Sequence, residues 1–133
     1  MKLYTPRTFR PPQKDLTDFE KAALDSWRKE RSALAIKNDF SWALFHRTNQ
    51  DPEGTCETRF FIDQLFVKEN ERKKGHGTAL INEMKRRCAS NQGLCVIVNT
   101  PDAEAFFVKN NFRRYKKYDM VTMPVLVYEE CKE

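Results

Sequence analysis

The sequence predicts an α/β domain: a mixed sheet with helices on both faces, in the order β-α-β-β-β-α-β-α-β, with a further C-terminal strand allowed. Segments with apolar residues at helical spacing alternate with short runs rich in β-branched and aromatic residues. One such run, "LCVIV" (94–98), is nearly all apolar, as suits a central strand covered on both faces. The length, 133 residues, allows one domain with a substantial core and is too short for two, so residues 1–133 are expected to form a single domain.

"YTPRTFR" (Tyr4–Arg10) reads as a short first strand that ends at Pro11–Pro12. Asp15 is placed to cap the next helix, whose inner face would be Leu16, Phe19, Ala23 and Trp27 and whose end would fall near Arg31. "SALAIK" and "FSWALFHR" are two strands joined across Asn38–Asp39, residues that tolerate the left-handed backbone of a tight hairpin. "QDPEG" makes the next turn, and Cys56 to Lys68 forms a long strand. Beyond Gly75 and Gly77, "TALINEMKRRCAS" is a helix striped by Leu80, Met84 and Cys88. In "TPDAEAFFVKN", Thr100 is an N-cap, Pro101 takes the first helical position, and Asp102 and Glu104 place acids where the helix dipole favours them. Asn111 stands where the helix stop needs a positive φ. The tail, "FRRYKKYDMVTMPVLVYEE", supplies one or two further strands.

Composition narrows the function classes. The hydrophobic share of 40% and charged share of 32% are those of an ordinary globular protein. No apolar stretch is long enough to span a bilayer, and "MKLYTPRTFRPPQ" lacks the apolar centre of a signal peptide. The expected location is therefore cytoplasmic, with the nucleus left open and no membrane partner. Cys56, Cys88, Cys95 and Cys131 show no CxxC spacing, and His46 and His76 are the only histidines. Neither a metal site nor a disulfide framework is expected. Net charge is +5, spread over the short groups Arg72–Lys74, Lys85–Arg87 and Arg113–Lys117. That admits an anionic partner without naming one. With no nucleic-acid motif in the chain, nucleic acid is not the expected partner. A homodimer is compatible with the sequence.

The stretch "RKKGHG" (72–77) carries the sharpest chemical signal. The first N–H groups of a helix lack intrahelical partners, and the helix dipole adds partial positive charge there. Glycine lets an anion approach the backbone closely, and Arg72, Lys73 and Lys74 put full charges on the same lip. The pattern is a main-chain seat for a diphosphate. It is neither a Walker A loop nor the GxGxxG dinucleotide fingerprint.

"VKENERKKGHGTAL" after a strand resembles the acetyl-CoA-binding motif of the GNAT N-acetyltransferase superfamily: a valine, a short loop, then (R/Q)xxGx(G/A) opening a helix. "AEAFFVKNNF" resembles the family's second motif, and "TFRPPQKDLTDFEKA" its usual opening. The resemblance covers nearly the whole chain in the right element order. It implies a GNAT-like fold with acetyl-CoA as cosubstrate and no metal. By position, main-chain groups of Leu65, Phe66 and Val67 would pair with the pantetheine arm at a splayed, bulged strand. Arg72, Lys73, Lys74, Gly75, His76, Gly77 and Thr78 would hold the pyrophosphate, and Phe107 would pack beside the thioester. Phe107 stands where many members have a tyrosine proposed to protonate the leaving thiolate. Tyr115, Tyr118 and Tyr128 are candidate substitutes, and Thr100, beside Asn99, replaces an asparagine near CoA in many members.

An amine acceptor is mostly protonated at neutral pH, so acetyl transfer needs a proton acceptor. Strand alternation puts Asp63 in a row with Phe61, Leu65 and Val67, where desolvation should raise its pKa. It also falls where polyamine-type members of the superfamily carry an acid. The other reading is that Asp63 pairs with a nearby Arg or Lys. Gln64 is equally out of place among Phe60, Ile62 and Phe66, so polarity alone does not choose. Glu57 is a second candidate acid, and His76 is expected to face solvent or CoA. The implied function is acetyl-CoA-dependent transfer to a primary amine, with a small, polyamine-like acceptor slightly favoured over a protein lysine or N-terminus. Two other classes stay open: a GNAT-fold module that binds acyl-CoA or a protein without catalysis, and a nucleic-acid binder.

Overall fold

A computed structural model describes residues 1–14, 16–48, 58–87, 92–98, 100–114 and 125–129. The architecture is α/β with a mixed sheet, and from the first helix onward its elements follow the predicted order, with an extra strand at the C-terminal end. Backbone contacts divide the chain into two compact units: Met1–Arg47 with Ile62–Glu83, and Thr48–Phe61 with Met84–Glu133.

The first unit opens differently from the sequence expectation. Tyr4–Arg10 is not a strand. Tyr4 makes one antiparallel bridge to Ala35, with N–H···O distances of 2.8 and 2.9 Å. The chain then turns, the Phe9 N–H returning to the Thr5 carbonyl at 2.9 Å. Pro6 has no N–H to continue a ladder, and Thr8 closes the turn by accepting from the Thr5 N–H through its hydroxyl. Helix α1 (Asp18–Arg28) starts from Thr17. The Thr17 hydroxyl accepts from the Glu20 N–H, and the Glu20 carboxylate accepts from the Thr17 N–H, a reciprocal capping box. Asp15, the expected cap, lies outside the described residues. This start leaves Phe19 in the first turn, 57% exposed, while Leu24 and Trp27 supply the buried face. The helix ends at Arg28, short of the predicted Arg31.

Strand β1 (Leu34–Lys37) pairs antiparallel with β2 (Ser41–Thr48), Leu34 opposite Phe45 and Lys37 opposite Trp42. The turn falls where predicted but uses another device. Neither Asn38 nor Asp39 has positive φ; instead the Asn38 side-chain oxygen accepts from the Phe40 N–H and the Ser41 hydroxyl. The expected turn at 50–54 lies outside the described residues. Strand β3 (Thr58–Val67) continues the order β1-β2-β3 and is followed by a 3-10 turn, Glu69–Glu71, and helix α2 (His76–Arg87).

The core of this unit is Phe9, Leu16, Leu24, Trp27, Ala33, Ala35, Leu44 and Phe66. Trp27 is its pin. The ring is fully buried, and its N–H donates to the carbonyls of Leu34 and Phe45 at 2.9 and 3.0 Å. Trp27→Phe removes that donor from two carbonyls, one of them buried, and leaves a void. An expected loss of about 3 kcal/mol, read from urea denaturation, combines a cavity cost with an unmade hydrogen bond.

In the second unit the order is β4-β6-β5. Strand β4 (Gln92–Ile97) pairs antiparallel with β6 (Val125–Glu129), which also pairs with the short β5 (Arg113–Arg114). Leu94, Cys95 and Val96 are buried as a central strand requires, although Ile97 is 45% exposed. Helix α3 (Pro101–Lys109) has the predicted ends: the Thr100 hydroxyl accepts from the Ala103 N–H, and Asn111 adopts φ +71°. The Lys85 ammonium donates to the Asn110 carbonyl and sits 4.2 Å from the centre of the Tyr128 ring.

Candidate functional site

The loop between β3 and α2 enters the helix through two left-handed residues. Gly75 occupies the N-cap position with φ +86°, and a Cβ built on it would meet no atom within 4 Å. It therefore offers no capping side chain and blocks nothing. The Ala79 N–H is bonded to the Gly75 carbonyl at 3.0 Å, so His76, Gly77 and Thr78 precede the intrahelical ladder. The first turn of α2 carries no acid, whereas α1 and α3 carry Asp18 and Glu20, and Asp102 and Glu104. Lys73, two residues before Gly75, also has positive φ, at +65°. A lysine gains nothing by itself from that conformation. Held between right-handed or extended neighbours, left-handed residues curve the N–H groups into a concavity suited to an anion.

The cations on this lip differ in their engagements. The Arg72 guanidinium folds back and donates to the Val67 carbonyl at 3.0 Å. One of the main-chain groups expected to meet pantetheine is thus already held by a lip residue. The Lys74 ammonium lies 3.1 Å from Glu71, whose carboxyl is held below its ordinary range by the Lys74 hydrogen bond. His76 does not simply face solvent. Its ring packs 4.9 Å from that of Phe40, and Nε2 lies 3.4 Å from Glu71.

The half-buried row of β3 behaves as its alternation predicts. Phe60, Ile62, Gln64 and Phe66 are buried, while Phe61, Asp63, Leu65 and Val67 are half-buried. Gln64 now has a structural explanation. Its side-chain oxygen accepts from the Trp42 indole, and its amide donates to the Glu20 carbonyl, each at 2.8 Å, so it ties α1 to β2 and β3. Asp63 has no such tie to the backbone of α1. Its Oδ2 lies 2.7 Å from His46 Nδ1, and His46 Nε2 faces Glu30 at 3.9 Å. The partner is an imidazole, in place of the Arg or Lys expected if Asp63 were only paired with a cation.

Burial pushes the Asp63 carboxyl above its ordinary range, and the hydrogen bond and charge of His46 offset this only in part. The hydrogen bond to Asp63 raises His46 in turn, against the effect of burial, with the charges of Asp63 and Glu30 adding. The pair therefore holds one shared proton to higher pH than a free imidazole does. Sequence reasoning passed over His46. Its signal was a polar ring at the end of the apolar run "WALFHR", which needs a partner when buried.

Glu30, His46, Asp63 and the loop Arg72–Thr78 all belong to the first unit. Phe107 belongs to the second, where it is buried and packs edge-on against Phe106 and Phe112, both at 5.1 Å. The Tyr128 ring lies tilted against Phe112 at 5.9 Å within the same unit. Glu57, Asn99, Tyr115 and Tyr118 lie outside the described residues. Among the described residues, no group of three or more His, Cys, Asp or Glu side chains could hold a metal ion, and no helix is long and apolar enough to cross a membrane.

A family model described as "Acetyltransferase (GNAT) domain" matches residues 41–114. Among solved structures, the chain is similar to a GNAT family acetyltransferase from Elizabethkingia anophelis with acetyl-CoA bound, at TM-score 0.62 and 15% identity, covering 96% of this chain and 97% of that one. It is also similar to Arabidopsis thaliana NAA60 in complex with a bisubstrate analogue, at TM-score 0.60 and 16% identity over 87% of each chain. Tetrahymena GCN5 gives TM-score 0.57 and 16% identity, covering 86% of this chain and 79% of the other. At such identities the likeness establishes the fold alone. No curated protein matches the sequence.

Proposed function

Because the chain belongs to the GNAT acetyltransferase family, we propose that it transfers an acetyl group from acetyl-CoA to a primary amine by direct attack. The observation that carries this reading is the open mouth of α2, where left-handed Lys73 and Gly75 shape a loop with no acid in the following first turn. Bound there, acetyl-CoA supplies an activated thioester carbonyl. The main-chain N–H groups of Gly75 to Thr78 and the ammonium of Lys73 would hold its diphosphate, and the main chain of Leu65 and Phe66 would orient the pantetheine arm. Asp63 takes up the proton that the acceptor must lose, through an ordered water. A thiol of pKa about 8.5 leaves as an anion at neutral pH for roughly 2 kcal/mol, so Phe107 in place of a tyrosine does not bar the reaction.

The acceptor class we favour is a small amine of polyamine type. Two carboxylates, Asp63 and Glu30, bracket one imidazole in the first unit and give a cationic acceptor a reason to approach. Release of free CoA thiol from acetyl-CoA, with polyamines, lysine peptides and N-terminal peptides as acceptors, tests the proposal. Turnover with at least one primary amine is expected, highest with a polyamine. Highest turnover with a peptide moves the acceptor to a protein lysine or N-terminus. Acetyl-CoA binding without turnover across the panel would instead make the chain a non-catalytic acyl-CoA-binding module.

A further inference from the structure

We infer that Glu71 sets the affinity of the α2 mouth for acetyl-CoA: its carboxylate engages Lys74 and His76, and the diphosphate competes with it for those groups. The inference rests on the reading of that mouth given above and adds to it an internal competitor, brought in from outside the helix.

The first turn of α2 carries no acid of its own, yet a carboxylate reaches its mouth from the preceding 3-10 turn. The Glu71 N–H closes that turn on the Lys68 carbonyl at 2.8 Å, and the Lys68 N–H is tied to the Phe40 carbonyl at the same distance. Of the two acids in the turn, Glu69 is exposed, whereas the Glu71 side chain is only 18% exposed. Its Oε2 accepts from the Lys74 ammonium at 3.1 Å, and its Oε1 lies 3.4 Å from His76 Nε2. Lys74 immediately precedes the capping Gly75 and His76 follows it, so one carboxylate spans both sides of the cap. His76 is held in place from the β1–β2 turn. Its ring packs on Phe40, and its carbonyl accepts from the Asn38 amide at 3.4 Å.

This engagement is one that a ligand can break. Lys74 is 58% exposed, and the approach of Glu71 to His76 lacks the alignment of a hydrogen bond, leaving the buried Nε2 without a hydrogen-bond partner. Exposed ion pairs of this kind are weak. Glu71 nevertheless opposes the ligand in either of two ways. A carboxylate that stays on the lip repels the incoming diphosphate, and one that swings away gives up its contacts with Lys74 and His76. The Lys74 hydrogen bond keeps the Glu71 carboxyl below its ordinary range, so the carboxylate is ionised at neutral pH. CoA carries the same diphosphate as acetyl-CoA. Glu71 therefore weakens both alike and, by reclaiming Lys74 and His76, favours release of the product.

Glu71→Gln keeps the shape of the side chain and removes its charge. By calorimetry it should bind acetyl-CoA about 5-fold more tightly than wild type at low salt. The gain should fade near 1 M salt, where charges are screened beyond about 3 Å. In turnover, KM for acetyl-CoA and the inhibition constant of CoA should fall by that same factor, with no rise in kcat. Glu71→Asp, one methylene shorter, should lie between the two. Glu69→Gln is the control: it makes the same change in net charge two residues away, on an exposed side chain, and should alter the affinity less than about 2-fold. Unchanged or weaker binding in a folded Glu71→Gln overturns the inference and leaves the anion seat standing. So does an equal gain in Glu69→Gln, or a gain that persists at 1 M salt. Wild-type protein that fails to bind acetyl-CoA removes the seat and this inference together. The binding comparison needs no turnover, so its outcome counts whether or not the chain is catalytic.

Discussion

Replacing Gly75 with aspartate is expected to weaken acetyl-CoA binding by about 100-fold, read by calorimetry and as loss of the rise in melting temperature that the cosubstrate gives. The position has φ +86° and open space where a side chain would begin. An aspartate there brings a carboxylate to the mouth of α2, where the diphosphate is proposed to sit. Two unit charges about 4 Å apart near a protein surface repel by roughly 4 kcal/mol, and solvent screening at an exposed loop lowers this to about 3 kcal/mol. At 1.4 kcal/mol per tenfold, that is about 100-fold. Gly75→Asn is the control. Asparagine has nearly the same shape and tolerates the left-handed region, so it should cost less than about 10-fold. Equal losses in the two variants would mean that shape, and not charge, governs the loop. Wild-type protein whose midpoint does not move at saturating acetyl-CoA would remove the anion seat altogether, since a ligand bound only by the folded state at 100 times its Kd adds about 2.7 kcal/mol.

Where the sequence could be read correctly, the signal was local. Thr100, Pro101 and Asn111 specify the two ends of α3 through contacts three or four residues away, and the structure has them as expected. Gly75 is legible for the same reason: one residue's φ sets the turn. The start of α1 was equally legible in principle, because "TDFE" spells the Thr17–Glu20 capping box, but Asp15 drew the boundary too early and Phe19 into the core. Other features depend on which segments meet. His46 and Asp63 are 17 residues apart, on different strands, and only the pairing of the folded sheet brings them to 2.7 Å. Arg72 on the Val67 carbonyl and Lys73 at φ +65° are likewise outcomes of how the loop closes, for which neither residue type has a preference of its own. Gln64 and Asp63 looked alike in the sequence. The fold separates them: one is satisfied by an indole and a helix carbonyl, the other is left facing an imidazole.

That separation sets the expectation for Asp63→Asn: a fall in kcat of about 1,000-fold with KM for acetyl-CoA within a factor of two. Asparagine fills the same volume and can still hydrogen-bond to His46, so the fold and the α2 mouth should survive, as an unchanged acetyl-CoA stabilisation would verify. What it lacks is the carboxylate proposed to take up the acceptor's proton. Without a carboxylate at position 63 the proton has no acceptor there, and the amine is deprotonated less readily at every pH below its own pKa. The loss should therefore shrink as the pH rises and the acceptor arrives already neutral, since the step Asp63 assists is then no longer needed. A deficit that stays constant from neutral to strongly alkaline pH would place Asp63 in substrate orientation instead of proton removal. A variant retaining wild-type kcat would show that the buried carboxylate serves only to anchor His46 within the sheet.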